Sequence, residues 1–325
     1  MSFDIQYLLL LQDLRNATGG IFDEVFNAIS KIAVDVMVFL PFLIYWAVDK
    51  AWGYRFLTAR WGGEVINGLV KLTVCAYRPW IRSDLIEPAG DSKVAATGYS
   101  FPSGHTMCAT AMYGSVFIWQ RDRRRWLAVL CAVAIALTAF SRNFLGVHTP
   151  QDVLVSFIET SLLLLGIGIV ANKAGGSDKV YDILSVIGII FIIASLVYIL
   201  LKPYPMDYVD GELLVDPQKM MKDCFNGCGG LLGLIIGSYI ERHYLHYEIP
   251  KGAVSLPLMA GVGIGIVFSW NQYLGPAIFV TAFGRNWGNM ISALILTVFA
   301  VAVWPVIITK TAQKEKEAGA VSANG

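Results

Sequence analysis

Apolar residues run along this chain in long stretches that polar and charged loops separate. A helix needs about 20 mostly apolar residues to cross a bilayer core of about 30 Å. Nine stretches meet this requirement: 28–48, 56–77, 103–119, 126–144, 150–172, 183–201, 227–245, 252–270 and 289–309. The second is interrupted by Arg60, Glu64, Asn67 and Lys71, which are costly in hydrocarbon unless they face protein or water. The pattern predicts an all-α polytopic integral membrane bundle of about nine transmembrane helices.

The composition agrees with a membrane protein. Of 325 residues, 56% are hydrophobic and 15% charged, whereas about 45–50% apolar is usual in soluble domains. The net charge is +1, and the basic residues lie between apolar stretches instead of forming one stripe, so no nucleic-acid partner is expected. Of the five cysteines, only Cys224 and Cys228 are spaced for pairing, and a disulfide is favoured over a metal site because no second ligand pair is near.

The basic loop QRDRRRW at 120–126 predicts the orientation of the helices. Cytoplasmic loops carry an excess of Lys and Arg, so we place this loop in the cytoplasm. The N-terminus, the loop 79–102, the segment 141–149 and the loop 202–226 then share the opposite, outer side. The expected location is the cell (inner) membrane, and the loop 202–226 is a candidate either to cover a site on the outer side or to recognise a head group.

Polar residues gather at the outer ends of the predicted helices, in the segments 71–79, 102–105 and 141–152. Lys71 and Arg78 are seven residues apart, so they project from one helix face and favour an anion there. A helix beginning at Ser103 and Gly104 exposes free backbone N–H groups and the positive end of its dipole. Arg142 adds a guanidinium suited to two-point phosphate contact. These groups predict a phosphate-binding site.

Two of the four histidines lie at the same outer side. His105 opens the third apolar stretch, and His148 precedes the fifth, where Thr149 suits the N-cap and Pro150 the first helical position. Asp152 has two interpretations. It is either a favourable first-turn carboxylate or the partner of one ring nitrogen of His148, which leaves the other nitrogen as a nucleophile or base. With the cations, this set predicts phosphoryl transfer.

The patterns K-x6-RP from Lys71, PSGH from Pro102 and SR-x5-H-x3-D from Ser141 resemble the three-part signature of the type 2 phosphatidic acid phosphatase superfamily. That superfamily also includes glucose-6-phosphatases and vanadium haloperoxidases. The resemblance implies that His148 attacks phosphorus to form a phosphohistidine, that Asp152 orients it, and that His105 protonates the leaving group and then activates water. It implies phosphoryl binding by Lys71, Arg78, Ser103, Gly104 and Arg142. It implies no metal and no other cofactor.

Four regions are expected along the chain: an N-terminal interfacial segment over 1–27, the phosphatase core over 28–172, additional transmembrane helices over 173–310, and a cytoplasmic tail over 311–325. Outside the motifs, Gly229, Gly233 and Gly237 form a small-residue face for packing within the chain or in a homodimer. His243 and His246 are expected to be solvated loop residues. Glu159 either lines a substrate cavity or is hydrogen-bonded to a neighbouring helix.

The function we expect is an integral-membrane, metal-independent phosphatase acting on a lipid phosphate monoester or diphosphate at the outer face. Phosphatidate, phosphatidylglycerophosphate and polyprenyl diphosphate are the substrate classes considered. A sugar-phosphate phosphatase of the glucose-6-phosphatase type is the alternative, and a transporter is the alternative from another class, although no inverted repeat is present. An inactive lipid-binding relative and a vanadium haloperoxidase are disfavoured.

Overall fold

The computed structural model describes residues 2–90, 92–96, 98–209 and 211–323. Its α-helices are α1 (Phe3–Ala17), α2 (Asp23–Lys31), α3 (Leu40–Leu43), α4 (Lys50–Val74), α5 (Pro79–Arg82), α6 (Ser92–Ala95), α7 (Gly104–Gln120), α8 (Arg125–Phe144), α9 (Pro150–Ala174), α10 (Asp178–Leu201), α11 (Pro217–Ile240), α12 (Ser255–Ser269), α13 (Thr281–Phe283), α14 (Arg285–Val298) and α15 (Trp304–Ala323). Strands β1 (Tyr208–Val209) and β2 (Glu212–Leu213) pair antiparallel, with Tyr208 opposite Leu213.

Short helical segments of other types continue several of these helices. A 3-10 turn spans Met37–Phe39, and π-helical turns span Ile32–Val36, Ile44–Val48, Glu241–Leu245, Trp270–Leu274, Pro276–Val280 and Phe299–Val303. Residues 324 and 325 of the predicted tail lie outside the described residues.

The predicted all-α polytopic membrane architecture is confirmed, and the nine apolar stretches are helical over most of their length. Helix α4 ends at Val74, so Arg78 lies beyond the helix and the prediction that Lys71 and Arg78 project from one helix face is wrong. By length and composition, six helices of the described chain can cross a membrane: Asp23–Val48, Arg125–Phe144, Pro150–Ala174, Asp178–Leu201, Pro217–Leu245 and Arg285–Ala320. The count of nine spans is not confirmed. Helix α7 has 17 residues, a length of about 26 Å at 1.5 Å per residue, and α4 carries several charges, among them Arg55, Arg60 and Glu64.

The chain folds into two compact units, each discontinuous in sequence. The first consists of Met1–Val38, Gly62–Gly168 and Val197–Cys224, and the second of Phe39–Trp61, Ile169–Leu196 and Phe225–Gly325. Every residue predicted for the phosphate site lies in the first unit.

Helices α7 and α8 pack against each other in the first unit, and α1 and α2 pack on α8. The ring of Phe26 in α2 lies 5.4 Å from that of Phe140 and 4.6 Å from that of Phe144, centroid to centroid. Helix α1 buries Ile5 and Leu8 in a cluster with Ile86. Helix α2 therefore packs against the C-terminal part of α8.

The second unit has an aromatic core that includes Tyr45 and Trp46. The indole Nε1 of Trp46 donates to the carbonyl oxygen of Ala300 at 2.7 Å, and the hydroxyl of Tyr45 donates to that of Val301 at 3.2 Å. Both carbonyls belong to the π-helical turn Phe299–Val303, where the regular i→i−4 ladder is interrupted. The two aromatic side chains thus provide these buried carbonyls with donors.

The glycine face of α11 packs within the chain. A Cβ at Gly229 would overlap the backbone of Met290, and one at Gly233 would overlap that of Leu294, both in α14. Absence of side chains at these positions lets the two helix backbones approach closely. The intramolecular interpretation is therefore the one observed.

One expectation about the second half needs correction, and the disulfide considered there is not formed. His243 is half-buried and is not a solvated loop residue: its Nε2 lies 3.1 Å from a carboxylate oxygen of Asp182, and its ring lies 4.4 Å from that of Tyr239. All five cysteines are free and buried, so Cys224 and Cys228 do not form a disulfide.

Candidate active site

The three predicted motifs meet around the first turns of α9. The backbone N–H of Ser103 donates to the carbonyl oxygen of Asp152 at 3.0 Å, and the hydroxyl of Ser156 donates to the carbonyl oxygen of Ser103 at 2.7 Å. Lys71, at the end of α4, donates from Nζ to the carbonyl oxygens of Pro102 at 2.7 Å and Tyr99 at 3.4 Å. Segments far apart in the sequence thus form one cluster.

His148 and Asp152 are paired as the second interpretation of Asp152 requires. Nδ1 of His148 lies 3.2 Å from Oδ2 of Asp152, and both side chains are buried. Nη1 of Arg78 lies 2.9 Å from the other ring nitrogen, Nε2. Because a guanidinium only donates, Nε2 must accept, and the neutral ring carries its proton on Nδ1. This tautomer leaves the lone pair on Nε2, where a nucleophile needs it.

Asp152 also acts as a helix-capping carboxylate. Its Oδ2 accepts from the backbone N–H of Thr149 at 2.8 Å, while Thr149 Oγ1 accepts from the backbone N–H of Asp152 at 3.4 Å. This reciprocal pair is a capping box at the start of α9. The hydroxyl of Ser100 donates to the same Oδ2 through a short hydrogen bond. Asp152 therefore both caps α9 and contacts Nδ1 of His148.

Arg78 is held by backbone carbonyls on the opposite side of the histidine. Its Nε donates to the carbonyl oxygen of Gly98 at 3.1 Å and its Nη1 to that of Val147 at 2.8 Å. Burial lowers the pKa of Arg78 to about 10, so the side chain stays cationic at neutral pH. Burial, followed by the charge of Arg78, lowers the pKa of His148 below its usual 6.5, against the opposing hydrogen bond to Asp152. His148 is therefore neutral at physiological pH.

Arg142 is 2% exposed and lies near the C-terminal end of α8. Its Nη1 donates to the hydroxyl of Ser30 at 3.0 Å, and among the described residues its buried Nε has no partner. The carbonyl oxygen of Arg142 accepts from the backbone N–H groups of Val147 and His148, each at 3.2 Å. Arg142 thus holds the loop before His148 through its carbonyl oxygen, while its Nε–H is left without a hydrogen-bond acceptor among the described residues.

The start of α7 has the features of an anion-binding helix terminus. Ser103 is the N-cap, and its Oγ accepts from the backbone N–H of Thr106 at 3.3 Å. A Cβ added at Gly104 would meet nothing within 4 Å, so its surroundings are open. His105 lies within electrostatic range of Arg142, His148, Arg78 and Lys71. All eight predicted site residues are therefore brought together.

Sequence reasoning missed three polar residues that hold this cluster. Asn143 donates from Nδ2 to the carbonyl oxygen of His148 at 2.9 Å, Ser100 donates to Asp152, and Ser30 accepts from Arg142. Asn143 adjoins Arg142, and Ser100 lies within the turn before Pro102, so adjacency to the motifs was an available signal for these two. No local pattern marks Ser30.

Glu159 lies two turns further along α9. Its Oε1 accepts from Nδ2 of Asn67 in α4 at 2.7 Å, as the hydrogen-bonding alternative predicted. Among the described residues no group of three or more His, Cys, Asp or Glu is arranged to hold a metal ion.

The segment that follows α10 packs beside the site. Tyr77 donates from its hydroxyl to a carboxylate oxygen of Asp207, and Val215 packs with Tyr99 and Cys75. Gly98 has φ +75°, and a Cβ there would overlap the sulfur of Met220. This part of the predicted outer loop thus contacts Tyr77, which precedes Arg78, and lies against Gly98, whose carbonyl oxygen accepts a hydrogen bond from Arg78.

The sequence profile of the PAP2 superfamily matches residues 51–174, a range that contains all three motifs. Residues 51–174 form a PAP2 superfamily domain. Similar proteins include mouse sphingosine-1-phosphate phosphatase 2, which is 27% identical over 147 residues covering 43% of this chain and 39% of the relative. Lipid phosphate phosphatase delta of Arabidopsis thaliana is 24% identical over 270 residues, which cover 78% of this chain and 61% of the relative.

Phosphatidylglycerophosphatase B of Escherichia coli (strain K12) is 40% identical over 62 residues, which cover 18% of this chain and 24% of that protein. The chain thus spans less than two thirds of the length of these three PAP2 relatives. No solved structure matches the chain.

Proposed function

We propose that this protein is an integral-membrane phosphatase that hydrolyses a lipid phosphate monoester or diphosphate through a phosphohistidine intermediate. The observation that carries the proposal is the arrangement around His148, whose Nδ1 faces Asp152 while its Nε2 faces Arg78. A neutral, oriented imidazole beside buried cations is the arrangement that nucleophilic attack on a phosphoryl group needs.

In the first step, Nε2 of His148 attacks phosphorus and the bond from phosphorus to the leaving oxygen breaks. The imidazole becomes cationic, and the carboxylate of Asp152 at 3.2 Å stabilises that charge. Arg78 changes its Nε2 contact for a phosphoryl oxygen, while Lys71 and Arg142 bind the remaining charge with the hydroxyl of Ser103 and the backbone N–H of Gly104. His105, protonated when the bound dianionic phosphoryl group offsets the charges of Arg142, Arg78 and Lys71, donates a proton to the leaving oxygen.

In the second step, a water molecule attacks the phosphohistidine from the side that the leaving group has vacated. His105, now neutral, accepts a proton from that water, the bond between Nε2 and phosphorus breaks, and inorganic phosphate leaves. His148 returns to the neutral form with its proton on Nδ1. The residues of the cluster thus return to their initial protonation states, and no metal ion takes part in this scheme.

A lipid substrate is supported by the setting of the site and by the relatives. The domain lies in a chain with six helices apolar and long enough to cross a membrane. The similar proteins carry names that refer to lipid phosphates, and an undecaprenyl-diphosphatase of Sulfolobus acidocaldarius is also similar, at 27% identity over 94 residues. We place the site at the extracytoplasmic face because the basic loop 120–126 lies at the other end of α7.

The test is phosphate release by the purified protein in lipid nanodiscs across a substrate panel. The panel contains phosphatidate, phosphatidylglycerophosphate, a sphingoid-base phosphate, a polyprenyl diphosphate and a hexose phosphate. We expect turnover of at least one lipid and little of the hexose phosphate. Turnover of the hexose phosphate alone would favour a sugar-phosphate phosphatase, and no turnover of any member would refute the proposal.

To test for the intermediate, the reaction with a ³²P-labelled substrate is quenched in acid or in base, and the label that stays on the protein is measured. Phosphohistidine is labile in acid and stable in base, so label retained only under basic quench supports the mechanism. His148→Asn should retain no label. His243→Asn is the matched control, because His243 also pairs with an aspartate but lies in the second unit.

A further inference from the structure

Helix α2 contributes one polar contact to the phosphate-binding residues. Ser30 is fully buried and lies outside the PAP2 domain of residues 51–174. Its Oγ accepts a hydrogen bond from Nη1 of Arg142 at 3.0 Å. The hydroxyl hydrogen is donated to the carbonyl oxygen of Asn27 at 2.9 Å. Since a hydroxyl has only one hydrogen, Ser30 must present a lone pair to the guanidinium.

The position of Ser30 is fixed relative to the helix that carries Arg142. Phe26, one turn before Ser30, packs its ring against Phe140 and Phe144, which lie two residues before and after Arg142. Interlocked side chains of this kind transmit displacement instead of absorbing it. A change in the hydroxyl of Ser30 therefore acts on the guanidinium without large movement of α2.

The hydrogen bond to Ser30 occupies Nη1 of Arg142 and leaves the opposite edge of the guanidinium to bind a ligand. Nη1 lies on the same side as Cδ, so Nε–H and one N–H of Nη2 point in a common direction and form a two-donor edge. Among the described residues Nη1 donates to Ser30, and the buried Nε has no hydrogen-bond partner. A buried donor without a partner is costly, and a phosphoryl oxygen would satisfy it.

We infer that Ser30 is a positioning residue that turns the Nε–Nη2 edge of Arg142 toward the phosphoryl group. This assignment rests on the proposed function, in which Arg142 binds phosphoryl oxygens. Ser30 acts through Arg142 and does not touch the substrate. Part of the phosphate-binding geometry is thus supplied by a helix that precedes the PAP2 domain.

The experiment compares Ser30→Ala with Ser30→Thr, which keeps a hydroxyl, in the full chain in nanodiscs. Ser195→Ala is the matched control, because Ser195 is 3% exposed and its hydroxyl donates to its own helix at 2.7 Å. Loss of one hydrogen bond to a charged group predicts about a tenfold fall in kcat/KM and about a tenfold rise in the vanadate inhibition constant for Ser30→Ala. We expect Ser30→Thr to recover most of both, and Ser195→Ala to match the wild type.

A double-mutant cycle with Arg142→Gln separates positioning from a general structural role. If Ser30 acts through Arg142, Ser30→Ala should add less than about twofold to the loss already caused by Arg142→Gln. Full additivity would overturn the assignment, as would a Ser30→Ala variant with unchanged kcat/KM and unchanged vanadate inhibition.

Vanadate-induced thermal stabilisation, measured without substrate, keeps the two proposals distinguishable. If the wild type hydrolyses nothing but vanadate stabilises it more than it stabilises Ser30→Ala, the proposed function fails and the role of Ser30 stands. If vanadate stabilises neither protein, both fail. If vanadate stabilises both equally, the role of Ser30 alone is refuted.

Discussion

Replacement of Asp152 tests the proposed chemistry most directly, because its Oδ2 contacts His148, the proposed nucleophile. It accepts from Nδ1 of His148 at 3.2 Å, from the backbone N–H of Thr149 at 2.8 Å and from the hydroxyl of Ser100. Asp152→Asn keeps an oxygen acceptor of the same shape and removes the charge. We therefore expect this variant to fold and to lose catalysis.

The size of the loss follows from the distance between Nδ1 and Oδ2. Two unit charges 3.2 Å apart interact by about 5 kcal/mol at an effective dielectric constant of about 20. If half of the imidazolium charge has developed in the transition state, Asp152→Asn raises the barrier by about 2.5 kcal/mol, which slows the step roughly 70-fold. Full development of the charge corresponds to a loss of roughly 5,000-fold.

The assay is rapid-quench measurement of phosphoenzyme formation in a single turnover, with base quench and ³²P-labelled lipid. Ser100→Ala is the matched comparison, because it removes one donor to Asp152 and leaves the carboxylate charge in place. We expect Ser100→Ala to slow the step by less than about tenfold. Phosphoenzyme formation by Asp152→Asn within about fivefold of the wild type would refute an electrostatic role for this carboxylate.

Three further predictions concern pH, inhibitors and packing. Because the pKa of His148 is lowered, His148 stays neutral as the pH falls through 6.5, and the acid limb of kcat/KM should lie below 6.5. Arg78→Gln removes one cause of the lowered pKa and should move this limb to higher pH. An acid limb that does not move in Arg78→Gln would contradict the prediction. Activity should persist in EDTA and be inhibited competitively by vanadate, whereas loss in EDTA would show a metal requirement. Gly233→Leu should lower the thermal unfolding temperature because the new side chain would overlap the backbone of α14. Gly265→Ala should not lower it, because a Cβ at Gly265 meets nothing within 4 Å. Equal effects of the two substitutions would contradict the packing assignment.

The helices could be predicted from sequence because hydropathy alone identifies long apolar stretches. Helix α9 was expected over 150–172 and spans Pro150–Ala174, since Pro suits the first helical position. The number of membrane spans could not be predicted as well. Helix α7 is shorter than the expected bilayer core, and the charges of α4 depend on what each of its faces contacts.

The clustering of the principal candidate residues could be predicted because their spacing within short motifs carries the information. His148 and Asp152 are one helical turn apart, so their pairing follows from local geometry. The contact of Ser30 with Arg142 joins residues 112 positions apart, and no local spacing specifies it. Serine is common in helices, so only the packing of α2 on α8 reveals the partner of Ser30.

The contacts of the buried cations bear on the substrate class that the proposed mechanism favours. Lys71 and Arg78 donate to backbone carbonyls, which lessen the cost of burying them without cancelling their charge. Together with Arg142 they form a group of three cations near Asp152, which contacts His148, while Asp223 and Glu159 also act on the charge of Lys71. In the proposed mechanism these three cations bind the phosphoryl group, and a dianionic phosphate monoester or a diphosphate interacts with them more strongly than a monoanion does. A phosphodiester carries one negative charge, so we expect hydrolysis of a dialkyl phosphate to be at least about a hundredfold slower than that of the corresponding monoester, because one less charge interacts with the cluster. Equal rates for the two would show that charge complementarity does not determine the substrate class.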